Sequence, residues 1–473
     1  TSTGGTTTGG TTGAGGSISP ARGGNGGSAT GSGGSAGVTG AGGTGGGAGT
    51  SAQAGNGGAG AGAGGRGGAL GMAGRGGATG MAGAVGTGGS GTGGSGTGSG
   101  GSGTAGPENT GANCGATAAP LLSAQNKKLP SPFLMHDGTA ITTKAQWECR
   151  RNEIKADLEK YEIGPKQEPP TVAATLSGKN LSVKVTVGSN SITLTSTVSG
   201  SGSCLVVGMN GTTSLVSGCQ QAPFSTDQVV MYSQNSTQNQ SDPFYKLYPS
   251  LWGKIGNYSA WAWGVSRIID GIDQVKTQLG VDMTKIGTWG CSYAGKMSMF
   301  SGALDERVAL TIIEESGGGG IDAWRASQDF DTRTNMSTEK IDNTNYSWFM
   351  SSMKSLDPYK LPHDHHEVIA MIAPRATIIL GNPGYVWLGD ESGYKSTLAA
   401  VEVFKAMGVP DAIGYDFTGG HSHCGPPSTQ MQSVATYVTK YLKGGTGAAV
   451  AIKPNQSGFD LTADTDWTTP TLQ

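Results

Sequence analysis

Alternation of apolar and polar positions first becomes regular near residue 181. In LSVKVTV the apolar residues are Leu181, Val183, Val185 and Val187, and SITLTSTV repeats the pattern with Ile192 and Leu194. A period of two, with Gly188, Ser189 and Asn190 between the runs, predicts a hairpin with one wet face. The runs CLVVG at 204–208 and QVVMY at 228–232 are apolar without alternation, as in strands covered on both faces. Together they predict a sheet with an antiparallel edge that becomes parallel inside.

The period then lengthens to three and four. Trp261, Val265, Ile268, Ile269, Ile272 and Val275 make one apolar stripe along a helix of about four turns. The strand KIGTW at 285–289 follows, then GCSYAGK and a helix over 295–304. Further strands read at 308–313, 376–380 and 412–417, with a helix over 398–407 before the last. Strands alternating with helices predict an α/β fold: a mostly parallel sheet in a three-layer sandwich.

Composition divides the chain in two. More than half of its 86 glycines precede Pro107, in a tract of Gly, Ser, Thr and Ala with almost no side chains that could build a core. Residues 1–108 are therefore expected to be a disordered linker and 109–473 a single folded domain, which holds every tryptophan, cysteine and histidine. The net charge of -2 offers no general attraction to nucleic acid or anionic membrane. No run of about 18 apolar residues occurs, so no transmembrane segment is expected. The chain starts at Thr1 without a charged-then-apolar leader. It reads as a mature or trimmed product whose linker tethered it to an anchor or binding module upstream. Six cysteines with no Cys-x-x-Cys pair favour disulfides in an oxidising compartment over a zinc site. A secreted or cell-surface monomer without metal or cofactor is the expectation.

Candidate chemistry collects where the predicted strands end. Ser292 lies on a strand-to-helix turn, as in the alpha/beta hydrolases, but Gly290-Cys291-Ser292-Tyr293-Ala294-Gly295 is one residue longer than their G-x-S-x-G. A serine nucleophile needs a base, and the base needs a carboxylate to set its tautomer. Glu315 closes the strand after the serine helix, while Asp390 and Glu391 follow the next strand; spacing leaves the choice open. His421 and His423 compete as base after the last strand. His365 and His366, ahead of an apolar segment, read as helix-capping or packing residues.

These residues belong to a larger set. GCSYAGK, IIEESGGGG with AWR after it, LPHDHHEVIAMIAPR, YVWLG and GGHSHCGPPS occur in this order, with WECRRNEIKADLEKYEIGPKQEPP and WAWGVSRIIDGID upstream. The whole resembles the glucuronoyl esterases of carbohydrate esterase family fifteen over nearly everything after the linker. The resemblance implies an alpha/beta hydrolase that cleaves esters between glucuronic acid side chains of xylan and lignin alcohols without a metal. It makes Ser292 the nucleophile, Glu315 the acid and His423 the base. It also implies a disulfide joining Cys291 to Cys424, with Cys114–Cys149 and Cys204–Cys219 as the remaining pairs.

For the substrate, the resemblance matches Lys296 to a sugar-contacting lysine and Trp387 to a tryptophan lining the same pocket, a cation beside a planar ring. Two departures stand out. Tyr293 replaces an arginine of the oxyanion site, and a lost oxyanion donor typically costs about a hundred- to a thousandfold in rate. In the stretch before Trp348, Ser337 and Asn345 stand opposite a glutamine and a glutamate, which shortens two polar arms. Besides glucuronoyl ester hydrolysis, the sequence therefore leaves open an esterase for acetyl or feruloyl esters and a catalytically weak carbohydrate-binding relative.

Overall fold

The structure, a computed structural model, describes residues 107–449, 451 and 461–473. The expected linker lies, up to residue 106, outside the described residues. Glu108, assigned to the linker from composition, is held by the folded domain. Its carboxylate pairs with Arg267 at 2.6 Å, with Lys166, and with Arg307 at 3.7 Å. The domain therefore begins before residue 109.

Two sheets form. In the first, β1 (Thr171–Ser177), β2 (Asn180–Val187) and β3 (Asn190–Thr197) are antiparallel, so the expected hairpin gains a strand in front. The second contains β4 (Leu205–Met209), β5 (Gln220–Phe224), β6 (Ile286–Cys291), β7 (Val308–Glu314), β8 (Ala376–Leu380) and β9 (Ile413–Asp416). It is parallel throughout, in the order β5-β4-β6-β7-β8-β9. The hairpin is thus not an edge of the parallel sheet, as the pattern had implied. Ser199 and Gln221 exchange two backbone hydrogen bonds of 2.9 Å, and the chain then turns away into β4 before a ladder can grow.

The run at 228–232 is no strand either; β5 lies upstream of it. Val229 and Val230 are fully buried, but their backbone groups bond locally and to the core: both N–H groups donate to Thr226 O, and Val230 O accepts the Trp261 indole N–H at 2.7 Å. A buried turn and a buried strand share the same apolar run, so periodicity cannot separate them.

Among the described residues the α-helices are α1 (Lys144–Leu158), α2 (Pro243–Leu247), α3 (Asn257–Leu279), α4 (Tyr293–Leu304), α5 (Trp324–Thr334), α6 (His365–Ala370), α7 (Asp390–Ala406), α8 (Ser428–Tyr437) and the short α9 (Leu461–Asp464). Helix α7 starts eight residues ahead of the periodic stretch that announced it. The parallel strands are buried on both faces. Leu205, Val207 and Ile379 join the large core with residues of α3 and α4, whereas Val206, Ile312 and Ile378 join a second core with Val434 and Tyr437 of α8. That two-sided burial is why β4 reads as an unbroken apolar run, and it also buries the threonines inside β6, β7 and β8. Helix α3 packs against β1 and β2 on one side and α4 on another, with Gly264 close to Phe224 of β5, and buries residues around its whole circumference over its first turns rather than a single stripe.

Strand order reverses between β4 and β6, and a crevice at such a reversal is where open α/β sheets bind ligands. The serine turn leaves β6 at that point. Among the described residues no helix is long and apolar enough to cross a membrane.

Candidate active site

At the end of β6 the backbone of Ser292 adopts φ 59° and ψ -129°, a conformation costly for any residue with a Cβ, and α4 begins at Tyr293. The glycines explain the lengthened motif. A Cβ on Gly290 would lie 2.0 Å from Ala294 O, and one on Gly295 would lie 2.5 Å from Glu314 O. The close approach to β7 falls at residue 295, and Ala294 fits where a glycine would be spaced more tightly. At the start of α4 the N–H of Tyr293 has no acceptor within the helix, which turns a donor and the positive end of the helix dipole toward the serine.

Glu315 directly follows β7, its N–H bonded to Leu380 O at 2.8 Å, and its side chain is fully buried. Its Oε2 accepts a hydrogen bond from His423 Nδ1 at 2.6 Å. The His423 ring is one-third exposed and packs on Tyr385, whose hydroxyl accepts the His423 backbone N–H at 3.0 Å. Cys424, the next residue, is joined to Cys291 beside the serine. This disulfide closes a loop of 133 residues and ties the histidine loop to the serine elbow; cross-links over such loops stabilise by roughly 2–5 kcal/mol. Cys114–Cys149 and Cys204–Cys219 are the other two bridges.

The competing residues are engaged elsewhere. His421 donates from Nε2 to Thr418 O at 2.7 Å and accepts at Nδ1 from Asn382, with Glu315 Oε1 3.6 Å away. Asp390 accepts the Asn382 N–H at 3.0 Å, and Glu391 pairs with Arg333 and Lys395. His365 bonds Glu162 and Gly320 O, and His366 bonds Pro130 O, so both are packing residues of α6. Of the predicted carboxylates, Glu315 is the one bound to His423.

Ser292 and His423 line one cavity of about 280 Å³ with Lys296, Trp348 and Trp387. Lys296 is buried, with Nζ 2.7 Å from Glu339 Oε2, and Glu339 Oε1 accepts the Thr344 hydroxyl at 2.8 Å. The ring beneath the ammonium is Trp348, at 5.6 Å, whereas Trp387 is half-exposed at the rim. Ser337 is exposed and does not line the cavity; Glu339, two residues on, does. Asn345 lines it, but its amide is spent on Ser233 O and the Ser347 N–H. Tyr293, expected at the oxyanion site, packs at a tilt against Tyr232 (4.3 Å between centroids) and stacks on Trp348 (5.7 Å), and its hydroxyl accepts from Asn210 Nδ2 at 2.5 Å. Glu339 and Tyr232 escaped the sequence reading. A lone glutamate in an aperiodic loop carries no signal of a lysine 43 residues away, and Tyr232 closed an apolar run that reads as core.

Beside the site, Glu314 accepts the Trp289 indole N–H at 2.9 Å, and burial, reinforced by the charge of Glu315, pushes its carboxyl up to about 7. The unfolded chain gives up this proton near pH 4.3, the folded chain only near pH 7. The folded state therefore binds more protons in between, and stability falls as pH rises through that window, by at most about 1.4 kcal/mol per pH unit from this group. Glu314→Gln, neutral at every pH, is expected to flatten the decline. Denaturant midpoints between about pH 5 and pH 8 test this; a constant gap between wild type and variant would show that Glu314 does not titrate there.

A serine on a strained elbow, set at the carboxyl edge of a parallel sheet beside a carboxylate-bound imidazole, defines the class: the chain is an alpha/beta hydrolase. Within that class, the family described as "Glucuronyl esterase, fungi" matches residues 174–408. A 4-O-methyl-glucuronoyl methylesterase of Thermothelomyces thermophilus is 37% identical over 335 residues, covering 68% of this chain and 83% of the relative. One of Schizophyllum commune is 36% identical, covering 75% and 94%. The crystal structure of a glucuronoyl esterase from Sporotrichum thermophile superposes with a TM-score of 0.71 at 34% identity, over 76% of this chain and 100% of that one. The catalytic domain of the Hypocrea jecorina glucuronoyl esterase gives 0.68 at 33% identity, over 75% and 99%. This chain belongs to the glucuronoyl esterase family and is a carboxylic ester hydrolase.

Proposed function

We propose that the chain hydrolyses esters joining glucuronic acid side chains of xylan to lignin alcohols, with Ser292 as nucleophile, His423 as base and Glu315 as the acid that orients it. The observation that carries this reading is the single cavity in which Ser292 and the Glu315-bound His423 stand next to the buried Lys296–Glu339 pair. With Nδ1 committed to Glu315, Nε2 of His423 takes the serine proton. Ser292 Oγ attacks the uronate carbonyl, and the oxyanion is met by the Tyr293 N–H at the helix start. The alcohol leaves with the proton from His423, and water then releases the acyl group by the same route.

Recognition rests on hydrogen bonding rather than on a net positive pocket, because Glu339 neutralises Lys296. A uronate ester is itself uncharged at its carboxyl, and its ring hydroxyls need both donors and acceptors, which a lysine–glutamate pair supplies. Trp387 at the rim offers an apolar face to the sugar. A structure of the Sporotrichum thermophile relative in complex with methyl 4-O-methyl-beta-D-glucopyranuronate supports an ester of this kind as substrate. Three disulfides support a location outside the cytoplasm. Assay of the wild type on benzyl glucuronate beside an acetyl and a feruloyl ester is expected to favour the glucuronate by about a hundredfold or more in kcat/KM. Equal or better turnover of the acetyl or feruloyl ester would overturn the assignment.

A further inference from the structure

Next to the catalytic cavity lies a larger groove of about 910 Å³. One side is the wet face of the antiparallel sheet. There the register sets Thr175, Ser182 and Thr195 in one cross-strand row, and Ser177, Asn180 and Thr197 in the next. Short hydroxyl and amide side chains are thus repeated about 4.8 Å apart across the strands and about 6.7 Å apart along them. Asp227 is the one charged residue among the described residues lining the groove. Tyr232 and Tyr293 line both the groove and the catalytic cavity and so form a shared aromatic wall.

We propose that this groove is a second binding site, for the neutral sugar chain that carries the esterified uronate; the choice of chain rests on the esterase reading above. The chemistry of the lining selects the ligand. Closely spaced uncharged donors and acceptors match the hydroxyls of a neutral oligosaccharide, and a flat ring at one end suits stacking against a sugar face. An aromatic alcohol would bury the same hydroxyls without partners, at a cost. A polyanion would find no cation and would meet Asp227. The placement also gives Tyr293 a role that an arginine would not fill. With its hydroxyl on Asn210, the ring keeps the wall between the two sites aromatic and uncharged.

The test uses the full chain, xylohexaose as the neutral probe, and two benzyl esters, one of free glucuronate and one of glucuronate borne on a xylo-oligosaccharide. Ser182→Trp and Thr197→Trp fill the groove from its sheet side. Calorimetry is expected to show xylohexaose binding to wild type and to Ser292→Ala, weakened about tenfold or more in both groove variants. Turnover of the oligosaccharide ester should fall by the same factor, while benzyl glucuronate turnover stays within about twofold of wild type and reports that the variants are folded. No binding of xylohexaose by wild type, equal binding by wild type and variants, or equal losses on both esters would overturn the proposal. If wild type fails on benzyl glucuronate yet the variants still lose xylohexaose, the esterase reading falls and the sugar groove stands.

Discussion

Ser292→Ala is expected to lower kcat on benzyl glucuronate by about a millionfold, the scale seen when a triad serine is removed elsewhere, because in the proposed mechanism the acyl bond forms on its hydroxyl. The cavity keeps its other parts. Lys296 remains on Glu339 and His423 on Glu315, so binding of the ester should change little. The elbow gives a second readout. Since Ser292 holds φ 59° with a Cβ, alanine inherits the strain, while Ser292→Gly is expected to be equally inactive and about 1 kcal/mol more stable. Loss of activity with a gain in stability would mark a residue kept for chemistry at the expense of the fold. Activity surviving in both variants would remove the serine from the mechanism.

The second large effect separates the carboxylates. Glu315→Gln keeps the size of the side chain but takes away the charge that, in the proposed mechanism, fixes His423 Nδ1 as the protonated nitrogen and stabilises the imidazolium in the transition state. A fall in kcat of about a hundred- to ten-thousandfold is expected, as for the corresponding change in a serine protease, with KM nearly unchanged because Glu315 does not line the cavity. Asp390→Asn is the control. Burial, with the charge of Glu315 adding, raises the Asp390 carboxyl to about 7, and its oxygen accepts the Asn382 N–H. An amide there should cost little in kcat. Should the asparagine variant lose more than the glutamine variant, the acid would be Asp390 at the start of α7.

Several features were legible because they depend on local order alone. The unbroken apolar run of β4 follows from burial on both faces, and the alternation in β2 and β3 from burial on one. The serine, the glutamate and the histidine stand at strand ends in an order the class shares. What misled was equally local. The apolar run at 228–232 resembles a strand because a buried turn needs the same residues, and the hairpin looked like a sheet edge because pairing partners leave no mark in a periodicity.

Chain order and side-chain type thus determined by themselves that this is a parallel α/β domain with a serine, an acid and a histidine available for ester hydrolysis. Tertiary structure alone decided which acid holds the histidine, that Glu339 rather than Ser337 faces Lys296, that Trp348 rather than Trp387 lies under the ammonium, and that Tyr293 turns to Asn210. The physical reason is one of range. Backbone propensity and burial periodicity act over a few residues, whereas a hydrogen bond or an ion pair is satisfied by whatever the packed chain brings within about 3 Å, however distant in sequence.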